Sequence, residues 1–360
     1  MEPAATVYKK KIRREARMIA ISLAAFYAVY VVVAIIGVVI ALILSGYMDD
    51  LISGAMARRG TSLPYTNSEL TESLMENISF GWLSIAALLA GSFMLLILRG
   101  TRLFTKDLTK TGSRIDIPDF LKMAGLMFGI NAVVSLFGVV ISLLFKNLGG
   151  DSGGSDDIFS QYLMDGPGLL YVVILGPILE EIIFRGAILR SLEPFGKNFA
   201  IVVSSLLFGL YHLSLFQGVF AFFIGLILGY CALRFSIKWA MLLHMINNGF
   251  AMAITYFDPS LAIALGIYAV MLALAVLAGV FAWGQIKHQI RVGKPTEMHF
   301  AARVPVVPWY ISPADPRIAT YIGQEMALRA KPYHLAFSSP WLIVALSLAT
   351  VLTLLLTFML

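Results

Sequence analysis

Two carboxylates and a guanidinium, Glu180, Glu181 and Arg185, stand in the otherwise apolar run 176–190. An ionised side chain at bilayer depth costs at least ~2.5 kcal/mol, so such groups must face protein or trapped water. On a helix, Glu181 and Arg185 are four apart and pair on one face, while Glu180 lies about 100° round and points elsewhere. The pair reads as structural and Glu180 as the free carboxylate, a group suited to take a proton from water. Pro177 has no backbone amide to donate and disturbs the turn before the acidic pair, a device found where a membrane helix meets a cavity. Further along come Phe208-Gly209-Leu210-Tyr211-His212 and His244-Met245-Ile246-Asn247-Asn248. Asn248 sits one turn after His244, so both face one side. Imidazole and carboxamide donors stabilise the oxyanion of a tetrahedral intermediate. A carboxylate, two imidazoles and a carboxamide in one pocket are the parts of a water-activating hydrolase. Each residue also has a plainer reading: His212 as a buried hydrogen-bonding residue, Asn248 as a bond to a neighbouring helix, Phe208 and Tyr211 as packing.

These residues need elements to hold them, and the composition says of what kind. The chain has 360 residues, 59% hydrophobic and 13% charged, with a mean hydropathy of +0.84. That balance excludes an ordinary soluble domain and predicts an all-α, polytopic membrane helical bundle of about nine spans. The net charge of +6 does not point to nucleic acid, because lysines and arginines gather in alternate loops. Lys9, Lys10, Lys11, Arg13, Arg14 and Arg17 place the N-terminus in the cytoplasm. The apolar run 18–45 is too long for a signal-peptide core and reads as an uncleaved first span. Spans two and three are expected over about 79–98 and 119–145, separated by a basic inner loop with Arg99, Arg102, Lys106, Lys110 and Arg114. The acidic loops 46–78 and 147–167 read as external. Span four, about 168–189, holds the acidic motif. Spans five to eight follow over about 198–215, 217–234, 238–257 and 260–283, with a Gly225-x-x-x-Gly229 spacing in span six that permits close helix contact. The Pro-containing segment 284–339 is expected to be cytoplasmic, where His288, His299 and His334 need no function. A ninth span closes the chain at 340–360. Cys231, the one cysteine, reads as a small packing residue. At ~1.5 Å per residue, Glu180 lies ~15 Å from Arg190, His244 ~9 Å from Lys238 and His212 ~22 Å from Lys197. Tilted helices, or a span five that starts later, must level the three.

The pattern Glu180-Glu181-x-x-x-Arg185, Phe208-x-x-x-His212 and His244-x-x-x-Asn248 resembles the three motifs of the CPBP intramembrane protease family. That family groups the CAAX prenyl endopeptidases with the bacterial CAAX-protease and bacteriocin-processing proteins, also called Abi. The likeness covers about 168–257. It implies an all-helical membrane core with the site inside the bilayer. By that likeness Glu180 activates water with His212 helping, and His244 and Asn248 stabilise the oxyanion, with Glu181 and Arg185 in support.

The family has often been described as metalloproteases, and Glu180, His212 and His244 are the residues that would bind zinc. Against a metal, the chain has no His-Glu-x-x-His pair and asparagine is a poor zinc ligand, so no cofactor is the favoured reading. The expected division is 1–167, with the basic segment and three spans; a catalytic core at 168–257; an eighth span at 258–283; the cytoplasmic segment; and the last span. The expected protein is an intramembrane endopeptidase of the bacterial cell membrane. Its expected partners are a membrane-associated peptide or protein substrate and the lipid bilayer, with no nucleic acid. Two rival readings are a non-enzymatic bacteriocin-immunity or scaffold protein and a proton-coupled transporter. The transporter would predict inverted repeats, and the sequence has no convincing internal repeat.

Overall fold

A computed structural model of the chain describes residues 4–44, 80–93, 99–147 and 166–291. Within them the protein is an all-α bundle, and the described residues form no strand beyond an isolated bridge between Thr111 and Ser236. Helices α1 (Ala4–Leu44), α2 (Phe80–Phe93) and α3 (Ile117–Asn147) answer to the first three expected spans. The run 166–192, taken as α4, is followed by α5 (Lys197–Tyr211), α6 (Leu215–Arg234), α7 (Ile237–Phe257) and α8 (Leu261–Arg291). The expected ninth span and the Pro-containing segment lie outside the described residues, apart from the end of α8.

Four stretches among the described residues are long and apolar enough to cross a membrane: Lys9–Ile40, Ile117–Phe137, Gln217–Arg234 and Leu261–Phe281. Their outer faces agree with that reading. Val31, Val32, Ile35, Ile36, Val39 and Ile40 of α1 and Val270, Leu274, Val276 and Leu277 of α8 are exposed, as side chains that meet lipid should be. This is the bundle of an integral membrane protein. The helices that fail the test are informative too. α4 and α7 carry the charged and polar motif residues, and α5 is a short apolar helix.

The inner face of α1 repeats at intervals of four and three: Ile12, Ala16, Ile19, Leu23 and Phe26 are all buried. They join the core formed by Leu88 of α2, Phe184 and Leu192 of α4, and Phe208 of α5. This corrects one expectation. The helix starts well before the span expected at 18: the basic stretch forms the first turns of α1, and Ile12 and Ala16 within it belong to the core. α3 and α8 pack along small residues, where Gly125 and Gly129 face Ala278 and Ala275. Cys231 is a fully buried packing residue beside Met127, Leu228 and Leu243.

α4 is helical throughout but not uniformly so. Its α turns, Gly166–Leu170, Gly176–Glu181 and Leu189–Leu192, alternate with π turns at Tyr171–Leu175 and Ile182–Ile188. From Ile183 to Leu192 every residue is buried. A helix buried on all sides touches protein rather than lipid, which is how charged groups are accommodated here. A short 3₁₀ turn, Glu193–Phe195, and Gly196 at φ 138° reverse the chain into α5. That conformation is one side chains rarely adopt, so the tight return depends on glycine. α5 does begin at Lys197, so a later start does not level the site; instead the helix ends early, at Tyr211 rather than 215, and His212 caps it.

The basic stretch from Arg99 to Lys110 is folded against the end of α4. Arg99 holds Asp107 through two hydrogen bonds of 2.7 Å and donates to Ser191 Oγ at 3.2 Å. Lys110 reaches Glu193 at 2.7 Å, which also accepts from Arg190 at 3.0 Å. Glu193 lies in the turn outside the membrane-spanning segments. Burial pushes its carboxyl up, but hydrogen bonds and charge from Lys110 and Arg190 outweigh burial and hold it below the usual carboxylate range.

Candidate active site

Glu181 and Arg185, one turn apart on α4, form the expected ion pair: Arg185 Nη1 donates to Glu181 Oε1 at 2.8 Å, and neither side chain is exposed. Arg185 is held twice more. Its Nη2 donates to the Gly225 carbonyl of α6 at 3.2 Å, and its guanidinium carbon lies 4.4 Å from the centre of the Phe208 ring. The close approach of α6 depends on Gly225, whose absent Cβ would lie 3.0 Å from Ser205 and 3.2 Å from Arg185 Nη2. Gly229 likewise faces Ile201 and Leu189, so the Gly-x-x-x-Gly spacing is used for packing.

Spacing alone gave no partner for Glu181 beyond Arg185. In the structure the same Oε1 also accepts a hydrogen bond from Nδ1 of His244, at 3.1 Å. An acidic acceptor fixes the proton on Nδ1 and leaves Nε2 as the nitrogen turned outward. That Nε2 lies 3.6 Å from Glu180 Oε2. One imidazole thus stands between the two neighbouring carboxylates, anchored by one and facing the other. Glu180 stands outside the Glu181–Arg185 pair, as expected, and meets His244 instead.

His212 follows the last turn of α5. Its Nδ1 donates to the Phe208 carbonyl at 2.9 Å, so Nε2 carries the lone pair in the neutral ring. Leu213, at φ 52°, turns the chain away immediately afterwards. Phe208 does more than fill space. Its ring is edge-on to His212 at 4.9 Å, to His244 at 5.6 Å and to Phe184 at 5.1 Å, so one aromatic sets the relation of both imidazoles and Arg185. Tyr211 packs on Phe184 and His212, and its carbonyl accepts from Tyr27 Oη of α1 at 3.0 Å. Tyr27 is a contributor that the motifs could not supply.

Asn248 is brought against α4 rather than left free. Its Nδ2 donates to the Val172 carbonyl at 2.9 Å, and its Oδ1 accepts from Asn247 at 3.2 Å. The reason lies in α4. Gly176 N–H bonds back five residues to Tyr171, and the next donor in that register, for Val172, would be the missing amide of Pro177. The carboxamide supplies the bond that proline cannot.

Among the described residues, no three His, Cys, Asp or Glu side chains gather in a way that could hold a metal ion. Glu180, His212 and His244, the residues expected to bind zinc if any did, do not form a ligand set, although Phe208 lies against both imidazoles. The arrangement can do acid–base chemistry: a carboxylate outside the Glu181–Arg185 pair, two oriented imidazoles and a pinned carboxamide, gathered by α4, α5 and α7.

The fold and this cluster define a class, an integral membrane protein with Glu, His and Asn side chains gathered among its helices. The stretch that carries the site, residues 165–250, matches the family model described as type II CAAX prenyl endopeptidase Rce1-like, and the resemblance to the CPBP family of CAAX proteases is borne out. No curated protein and no solved structure was found to match the chain.

Proposed function

We propose that the protein is an intramembrane endopeptidase that hydrolyses a peptide bond of a membrane-associated substrate with water activated by Glu180. The observation that carries this reading is the placement of Glu180. It is the one motif carboxylate outside the ion pair, and it faces His244 Nε2. Support comes from the match of residues 165–250 to a peptidase family and from the lipid-facing helices around that core.

In the proposed reaction Glu180 takes a proton from water while His212, whose Nε2 is an acceptor, helps to orient that water. The hydroxide oxygen bonds to the scissile carbonyl carbon, and negative charge develops on the carbonyl oxygen. His244, held through Nδ1 by Glu181 and needing a second proton on Nε2 to donate, and the remaining N–H of Asn248 stabilise that oxyanion. The C–N bond then breaks as Glu180 returns the proton to the leaving amine. No step is routed through a metal.

The N-terminus is assigned to the cytoplasm of a bacterial cell, with 168–257 as the catalytic core. The test is cleavage of a panel of membrane-tethered peptides by wild type and Glu180→Gln, each with and without a strong zinc chelator. Cleavage that survives the chelator but not the substitution supports the reading. Loss with the chelator would point to a metal site, and equal activity in the two proteins would overturn the role of Glu180.

A further inference from the structure

Three carboxamides join α3, α7 and α4 in one directed chain. Asn131 of α3 donates from Nδ2 to the Met127 carbonyl at 3.0 Å and to Asn247 Oδ1 at 2.7 Å. Asn247 donates to Asn248 Oδ1 at 3.2 Å, and Asn248 donates to the Val172 carbonyl at 2.9 Å. Both ends of the chain are backbone carbonyls, which only accept, so every amide in between is held in one orientation. Asn247 is buried, and Asn131 lies in the apolar stretch Ile117–Phe137, where an amide without partners is costly.

The consequence falls on Asn248. Its oxygen is turned toward Asn247 and one of its two N–H groups is taken by Val172, so the donor it has left is a single N–H. An asparagine free to turn would offer the site its carbonyl oxygen as readily as its donor, and an oxygen there repels an oxyanion. We infer that Asn131 and Asn247 are positioning residues that fix Asn248 with its donor toward the reacting carbonyl. Asn131 lies outside the stretch 165–250 that matches the peptidase family. The inference rests on the proposed hydrolysis and deepens it.

The test uses the full-length protein in detergent with a substrate from the peptide panel. Asn131→Leu is expected to lower kcat by about 10- to 100-fold with KM within about twofold, since small misplacements of catalytic groups have effects of that size. Asn248→Ala and the double substitution complete a cycle. If Asn131 acts through Asn248, the double variant is no slower than Asn248→Ala alone. Multiplying losses would overturn the inference, as would a kcat for Asn131→Leu equal to wild type. A second readout does not need activity: in protein labelled with ¹⁵N-asparagine, the side-chain amide pair that disappears in Asn248→Ala should shift in Asn131→Leu. A shift without wild-type cleavage would leave the relay standing and the peptidase reading failed; an unmoved pair would remove the relay.

Discussion

Replacing Arg185 with methionine isolates the interaction on which the site is built. The substitution keeps an unbranched side chain of similar reach while removing the partner of Glu181, a carboxylate with no exposure. Leaving such a charge with only the His244 N–H as its partner costs up to about 3–5 kcal/mol. Arg185→Met also ends the cation–π contact with Phe208, about 2 kcal/mol when desolvated, and leaves the Gly225 carbonyl without its donor, about 1–3 kcal/mol. These losses share one side chain and do not add, so the expected destabilisation is about 3–5 kcal/mol. The companion Glu181→Leu with Arg185→Met removes both charges and should recover at least half of that loss, because an apolar pair needs no compensation. It should not recover activity, since His244 has then lost the acceptor that holds its Nδ1. Denaturant unfolding in detergent micelles reads the stability, and peptide cleavage reads the activity. A single variant within about 1 kcal/mol of wild type, or a double variant as unstable as the single, would refute the reasoning.

Two further outcomes follow from the packing and the basic stretch. Gly225→Ala would press a methyl group against Ser205 and Arg185 at 3.0 and 3.2 Å, and should destabilise by about 1–3 kcal/mol in the same unfolding assay, whereas Gly266→Ala, which meets open space, should cost less than half as much. Glu193 has a folded-state pKa below its ordinary value of 4.5, so its contribution is fully present above pH 4.5 and is lost as pH falls toward the folded pKa. Unfolding measured at pH 7 and at successive values below 4.5 should therefore show an acid-labile component that shrinks in Lys110→Met.

Much of the site was legible because helix periodicity is local. A separation of four residues is enough to pair Glu181 with Arg185 and to turn Glu180 away, and both appear. What stayed hidden was set by tertiary contact. No spacing rule could say that Glu181 would also hold His244, 63 positions away, or that Phe208 would stand between the two imidazoles. The π turn at Ile182–Ile188 has no mark in the sequence, although Pro177 does mark the irregularity before it. Asn131 and Asn247 are a different case. The rule that singled out His212, a polar group inside an apolar span, applied equally to them, so the signal was there and unused. α1 is longer than the span expected at 18–45 for a physical reason: basic residues at 9–17 break the apolar run, yet Ile12 and Ala16 supply the apolar stripe that carries the helix into the core.

The central claim is that Glu180 activates the attacking water, and the most direct measurement is single-turnover cleavage of a membrane-tethered peptide by metal-stripped wild type and Glu180→Gln. The glutamine keeps the shape and removes the base. The account predicts a rate at least about 100-fold lower in the variant, the usual contribution of a general base, with binding of the peptide unchanged. A variant that cleaves within threefold of wild type, or a stripped wild type that regains its activity only when zinc is returned, would contradict it.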